Sequence, residues 1–272
     1  MRDIIHKWVA FWVDSNLHIA LAAALLSAST MVLCHFPTFN WHYIRYIFSG
    51  TLVIYQLHRL AHPKHDTSLL LPYFLLFIFG IWAVVEWLFL PLAIQIAAVG
   101  LLFVSLAYSF VLLRFPQIGQ LRALRSIPYL KTFIIAGVWS FLTYLILLLP
   151  GHWCTTRHFW QFAERFLFVF LITIPFDFRD KTSDEQKNIK TIAHLFSVKK
   201  LRLLSYIIAG LLLLICTYLY YKNGAFLGIM LTFYVLCTYF CIKGFRIRSP
   251  YYYTGILDGS MIVYSVLILL FY

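Results

Sequence analysis

Pro175-Phe176-Asp177-Phe178-Arg179-Asp180-Lys181-Thr182-Ser183-Asp184, running on through Asn188-Ile189-Lys190-Thr191, is where a long apolar run gives way to charge. Asp177, Asp180 and Asp184 are three of the ten acidic residues in the chain. Read as helix, they stand at i, i+3 and i+7, which puts three carboxylates on one face. Carboxylates that close repel one another unless a positive charge lies between them. A hard divalent cation is one candidate, since Mg²⁺ takes one or two carboxylates together with phosphate oxygens of a substrate. The competing reading is a solvated loop between two apolar segments, with Arg179, Lys181 and Lys187 neutralising the acids locally. The spacing and the position at a membrane boundary favour the first.

Outward from this stretch, the 272 residues are 62% hydrophobic and only 12% charged, with a mean hydropathy of +0.83. No soluble domain covers that much apolar surface, so the composition reads as a polytopic membrane protein. Nine runs reach the length of about 17 to 25 residues that crosses a bilayer. They lie near 17–36, 43–60, 69–90, 92–113, 132–149, 160–176, 202–221, 224–242 and 255–272. Breaker signals separate them, among them Pro37, Pro63, Pro91, Pro116, Pro150-Gly151, Asn223-Gly224 and Ser249-Pro250. No small-residue cleavage pattern closes the first run, so it reads as a retained helix rather than a signal peptide. The expectation is one all-helical membrane domain over residues 1–272.

Formal net charge is +12 and the sequence pI is near 9.5. In a soluble chain that balance would suggest nucleic acid; here it follows from the positive-inside rule, and no nucleic-acid partner is expected. With the N-terminus in the cytoplasm, only Arg45, Arg157, Arg165 and Lys222 of the 22 Lys and Arg fall on the outer side. Such asymmetry supports an odd number of crossings and an outside C-terminus. It also gathers the triple aspartate, a histidine cluster and a basic segment on one face.

The histidine cluster is His58, His62 and His65 with Asp66, at the end of the second span. Imidazoles four residues apart can hold a transition metal, although Pro63 bends or ends the helix there; the plainer reading is an interfacial loop whose histidines face water and headgroups. A membrane di-iron oxidase needs several histidine boxes, and only His6 and His194 remain on that side. The basic segment is Arg122, Arg125 and Lys131 around Pro128, suited either to a phosphate group or to anionic lipid. Two acids are placed within spans: Glu86, near an outer end, and Asp258, near the inner face where it joins a polar cavity. Rings make up 19% of the chain, mostly as packing and interface anchors. Five cysteines form no CxxC pattern; Cys34 and Cys154 share the outer side, but nothing in the sequence sets their separation.

On these residues the chain resembles the UbiA superfamily of intramembrane prenyltransferases. The resemblance implies nine transmembrane helices around a central cavity, with two aspartate-rich motifs after the second and sixth helices. Asp177-x-x-Asp180-x-x-x-Asp184 is similar to the second motif, and Lys190-Thr191 resembles the lysine and hydroxyl pair that trails it. Arg122, Arg125, Pro128 and Lys131 resemble the basic segment entering the fifth helix. The first motif, Asn-Asp-x-x-Asp, has no counterpart: Tyr55-Gln56-Leu57-His58-Arg59-Leu60 stands in its place. Gln56 replaces the Asn, and His58 and His62 keep the four-residue step of the missing acids.

What the resemblance implies is a prenyl diphosphate gripped through Mg²⁺ on Asp177, Asp180 and Asp184, and an isoprenyl group passed to an aromatic or lipophilic acceptor. Arg122, Arg125, Lys131 and Lys190 would contact the diphosphate, and Gln56, His58 and Arg59 would occupy the weakened first site. Histidine in place of aspartate moves metal preference from Mg²⁺ toward Mn²⁺ or Zn²⁺. The implied location is a bacterial cytoplasmic membrane. The alternative is a non-catalytic protein of the same fold that binds a lipid or a partner protein, favoured by the missing motif. CDP-alcohol phosphotransferases are set aside because the acidic motif lacks their Asp-Gly and Ala-Arg pairs, and no internal repeat suggests a transporter.

Overall fold

In a bilayer every backbone polar group must be satisfied within its own segment, so the apolar runs fold as helices. A computed structural model describes residues 11–12, 15–61, 70–110, 113–114, 121–151, 155–186, 189–247 and 249–272. The helices are α1 (Leu17–Leu33), α2 (Trp41–Ala61), α3 (Leu70–Leu88), α4 (Leu92–Ser109), α5 (Lys131–Leu148) and α6 (Thr156–Gln186). A single turn, α7 (Ile192–Leu195), precedes α8 (Val198–Tyr220) and α9 (Gly224–Gly244). The last, α10, joins Pro250–Tyr252, a π-helical stretch Tyr253–Asp258, and Gly259–Phe271. Among the described residues the one extended pairing is a two-residue ladder, Leu113 with Arg122 and Arg114 with Leu121, between α4 and α5.

Among the described residues seven helices, α3 to α6 and α8 to α10, are long and apolar enough to cross a membrane. Of the other two expected spans, α1 is apolar but 17 residues long. The 21-residue α2 carries His42, Arg45, His58 and Arg59. The bundle closes on itself: α1 packs on α2 and α10, α2 on α3, α5 on α6, and α8 on both α6 and α9. Of the seven, α6 has the largest share of buried residues along its apolar stretch, while α3 and α4 turn Leu70, Phe77, Leu92 and Ile96 outward.

Two features differ from the expectation. The acidic stretch is helix, as its spacing suggests, but it is one element with the span before it: α6 continues beyond the expected end at 176 through Asp184 to Gln186. Pro175 lies inside it and removes one helical N–H. Neighbouring helices make such a proline tolerable in a membrane bundle, and here α9 presses against it at Gly244. Arg165, read as an outer-side charge, is fully buried instead. Its Nη1 donates to the Leu26 carbonyl (3.1 Å) and to Thr143 Oγ1 (3.1 Å), its Nη2 to Ser29 Oγ (3.2 Å), and the guanidinium lies 5.1 Å from the Tyr264 ring centroid. One side chain on α6 thereby ties α1, α5 and α10 together.

The π turn Phe141–Leu145 inside α5 widens the helix and frees carbonyls that other helices use. Thr30 of α1 donates to the Thr143 carbonyl (2.7 Å) and Tyr43 of α2 to that of Leu142. The π stretch in α10 works the other way. Tyr253 donates to the carbonyls of Gly244 (2.8 Å) and Ile247 (3.0 Å), satisfying the C-terminal end of α9.

Candidate functional site

The acidic face of α6 meets the first residue of α5. Lys131 Nζ donates to Asp184 Oδ2 at 2.8 Å and lies 3.3 Å from Asp177 Oδ1, so the ammonium sits between two carboxylates a helical i, i+7 step apart. The neighbouring Thr132 hydroxyl donates to the other oxygen of Asp177. Asp177 is almost wholly buried, and its Oδ1 makes no hydrogen bond beyond the ion pair. Asp180 is held separately: Arg179 forks onto it through Nε (2.7 Å) and Nη2 (3.1 Å) while its guanidinium lies over the rings of Phe176 (4.9 Å) and Tyr253 (4.7 Å). The three carboxylates thus share a face but divide between two cations.

The turn that delivers Lys131 is backbone-constrained. Tyr129 adopts φ 66°, a left-handed conformation costing roughly 1–2 kcal/mol for a residue with a side chain. Its N–H donates to the Lys190 carbonyl at 2.8 Å, which ties the entry to α5 to the segment following α6. Strain held in this way is found at binding and catalytic sites, where the surrounding structure fixes it.

Asp177, Asp180 and Lys131 line a cavity of about 260 Å³ together with Asp258 of α10. The remaining walls are largely aromatic and aliphatic, including Tyr55, Tyr108, Trp139, Phe176, Val169 and Ile172. Asp258 ends the π stretch, with His18 Nε2 of α1 at 4.0 Å from its Oδ2. A second, almost wholly apolar cavity of about 350 Å³ lies between α2, α3, α4 and α5 and shares Tyr55 and Trp139 with the first.

Of the residues singled out from sequence, the structure brings together Asp177, Asp184, Lys131 and, beside them, Asp180. It does not bring in Gln56 and His58. Gln56 is buried, with Nε2 donating to the Ser15 carbonyl at 2.8 Å. His58 Nε2 lies 3.4 Å from the Ser105 carbonyl of α4, its ring near Tyr55 and Tyr108. Arg59 sits in the last turn of α2 and Arg125 on the 3₁₀ turn Leu124–Ser126. The Lys190 side chain is exposed, and Arg122 pairs through its backbone in the short ladder. His62, His65, Asp66, Lys187 and Cys154 lie outside the described residues; Cys34 carries a free thiol.

The sequence reading missed one ionisable group and misplaced its neighbour. Glu164 is buried in α6 and accepts from Tyr220 (3.0 Å) and Tyr234 (2.7 Å). Arg165 follows it, and both are hidden in a run of aromatic and aliphatic residues. Glu86, expected only to reach the interface, accepts from His42 (2.8 Å), Arg45 (2.9 Å) and Trp82 (3.0 Å), clamping α2 to α3 away from the cavity.

Among the described residues no three His, Cys, Asp or Glu side chains converge to hold a metal unaided. What fits a hard divalent ion is the oxygen chemistry: Asp177 and Asp184 converge on one point that already attracts a cation, and Asp177 Oδ1 has spare acceptor capacity. An ion held there would need phosphate oxygens for the rest of its shell.

These features define a polytopic helical membrane protein with an acidic and basic cluster at the polar end of an aromatic cavity. No known family description matches the chain by sequence, and no curated protein does. Its fold, however, is that of UbiA homologues. A UbiA homologue from Archaeoglobus fulgidus bound to GPP and Mg²⁺ superposes with a TM-score of 0.62 at 13% identity, over 93% of this chain and 98% of that one. The apo UbiA homologue from Aeropyrum pernix K1 gives 0.63 at 10% identity, over 92% and 98%. A structure described as digeranylgeranylglyceryl phosphate synthase gives 0.54 at 14% identity, over 95% and 96%.

Proposed function

We propose that the protein belongs to the UbiA superfamily and transfers an isoprenyl group, within the membrane, from a prenyl diphosphate to an aromatic or lipophilic acceptor. The observation that carries this reading is the Asp177–Lys131–Asp184 cluster at the polar end of a cavity whose other walls are rings and aliphatic side chains. An amphipathic substrate with several negative charges on one end and a branched hydrocarbon on the other matches that arrangement. Homologues of the same fold have been captured with GPP or DMAPP and Mg²⁺.

In this reading Asp177 and Asp184 would hold a divalent ion, which would supply charge neutralisation to the diphosphate leaving group. Lys131 offers its ammonium to the diphosphate as a compact, strongly charged donor, and Thr132 keeps the Asp177 carboxylate oriented. Phe176 and Tyr55 line the cavity in which positive charge would develop on the departing isoprenyl carbon, and aromatic rings stabilise cations. Arg179 keeps Asp180 in place at the cavity wall. The N-terminus would lie in the cytoplasm and the C-terminus outside, the orientation favoured by the charge asymmetry.

The test is binding of geranyl thiodiphosphate to the purified protein with Mg²⁺, with Mn²⁺ or with chelator, alongside Asp177→Asn and Asp184→Asn. The expected result is metal-dependent binding that weakens on the order of 100-fold in either variant at unchanged melting temperature. Absence of binding under every metal condition would overturn the donor assignment. The second reading, a non-catalytic lipid- or partner-binding protein, is favoured by Gln56, which is turned onto the Ser15 carbonyl and leaves α2 without an acidic ligand. Under that reading a lipid lacking diphosphate competes for the cavity and the aspartate variants bind it unchanged.

A further inference from the structure

We infer that Lys131 is a displaceable internal cation standing where the acidic motif would hold a metal, so that this chain takes up a divalent ion only together with a diphosphate. The inference rests on the prenyl-donor reading above and concerns how the same site fills.

The Lys131 side chain is only 12% exposed, and its Nζ is shared by Asp184 at 2.8 Å and Asp177 at 3.3 Å. Asp177 is further engaged by Thr132, and Asp180 by the Arg179 fork. A free divalent ion arriving here meets an ammonium already between the two carboxylates it needs. Cation–cation repulsion in a poorly hydrated site opposes its entry, and Mg²⁺ in addition gives up its waters reluctantly. α2 supplies no carboxylate to offset this: its sequence holds no Asp or Glu, Gln56 Nε2 donates to the Ser15 carbonyl, and His58 Nε2 lies 3.4 Å from the Ser105 carbonyl.

A diphosphate changes the balance. Its oxygens serve the metal and the lysine together, and the four-carbon stem of lysine lets the ammonium move from carboxylate to phosphate. When Lys131 changes partner, Asp177 and Asp184 become available to the ion, and the phosphate completes the coordination shell that the missing motif does not. The site is therefore filled in company: the lysine neutralises the aspartates while the cavity is empty and neutralises the diphosphate once it is full.

Mn²⁺, an oxygen-binding ion visible by electron paramagnetic resonance, is the probe, titrated with and without geranyl thiodiphosphate into the parent, Lys131→Gln and Lys131→Arg. The parent is expected to bind Mn²⁺ alone at least about tenfold more weakly than in the presence of the analogue. Lys131→Gln should tighten Mn²⁺ alone about tenfold while weakening the analogue, and Lys131→Arg, which keeps the charge, should match the parent toward Mn²⁺ alone. A parent that binds Mn²⁺ equally well with and without the analogue overturns the inference, even if Lys131→Gln fails to fold. So does a folded Lys131→Gln whose affinity for Mn²⁺ alone is unchanged. Failure of the analogue to bind under any condition overturns the prenyl-donor reading and the diphosphate half of the inference; the Mn²⁺-alone comparison still judges Lys131 as the resident cation.

Discussion

Glu164 has no cation against it among the hydrogen bonds that hold it; two tyrosine hydroxyls, from Tyr220 on α8 and Tyr234 on α9, take that place. Replacing it with leucine removes a costly buried carboxylate but strands two donors where water cannot reach them, and the second effect is about 1–3 kcal/mol for each unsatisfied group. Interhelical hydrogen bonds in membranes average nearer 0.6 kcal/mol, because the reference state also finds partners. Glu164→Leu should therefore lower stability by about 1–2 kcal/mol in detergent. The sharper expectation is the coupling: Tyr220→Phe with Tyr234→Phe should destabilise the parent yet leave Glu164→Leu unharmed or recovered. Thermal unfolding of the four proteins measures this. Additive effects would mean that the carboxylate and the hydroxyls do not depend on one another.

Where α6 and α9 cross, space beside the glycine is tight. A Cβ built at Gly244 would lie 3.1 Å from Pro175 Cβ, with Tyr252 and Leu257 at 3.6 and 3.7 Å, while one at Gly228 on the same helix meets nothing within 4 Å. Gly→Ala inside a helix otherwise gains about 0.5–1 kcal/mol, so the two positions should respond differently. Gly228→Ala should raise the melting temperature, and Gly244→Ala should lose that gain or lower stability by about 1 kcal/mol, because Pro175 Cβ belongs to a ring fixed to the α6 backbone and yields little. If both variants stabilise, the crossing is looser than the distances imply. The same crossing explains what could and could not be read in advance. The all-helical membrane class was legible because hydropathy and length are local, and seven of the nine expected runs are helices long and apolar enough to cross among the described residues. The continuation of α6 through Asp184 was not, because Pro175 is locally a stop signal and only the packing of α9 makes it tolerable. The shared face of the aspartates followed from their spacing, but the lysine between them lies 53 residues from Asp184 and no local rule pairs them. Glu164 was missed because its neighbours read as a membrane span, and Arg165 was placed on the outer side because no local rule shows the Leu26, Ser29 and Thr143 partners that bury it.

Across the molecule, the polar cavity of about 260 Å³ and the apolar one of about 350 Å³ are separate spaces with two walls in common, Tyr55 of α2 and Trp139 of α5. A hydrocarbon tail gains little by leaving lipid for an apolar cavity, since both surroundings are alike to it. On the prenyl-donor reading, tail length would be selected by shape, and Tyr55 and Trp139 stand between the polar cavity and further apolar volume. In the parent this partition should stop a long tail whose diphosphate is held at Lys131. Trp139→Ala joins the two spaces, and its effect should fall on tail length rather than on the diphosphate end. The measurement is the affinity of geranylgeranyl relative to geranyl thiodiphosphate, for parent and variant under the same metal condition. The ratio should rise about tenfold in Trp139→Ala while the geranyl analogue alone changes little. An unchanged ratio would mean that the tail leaves the polar cavity by another wall, and that the apolar space beside it serves the packing of α2 to α5 alone.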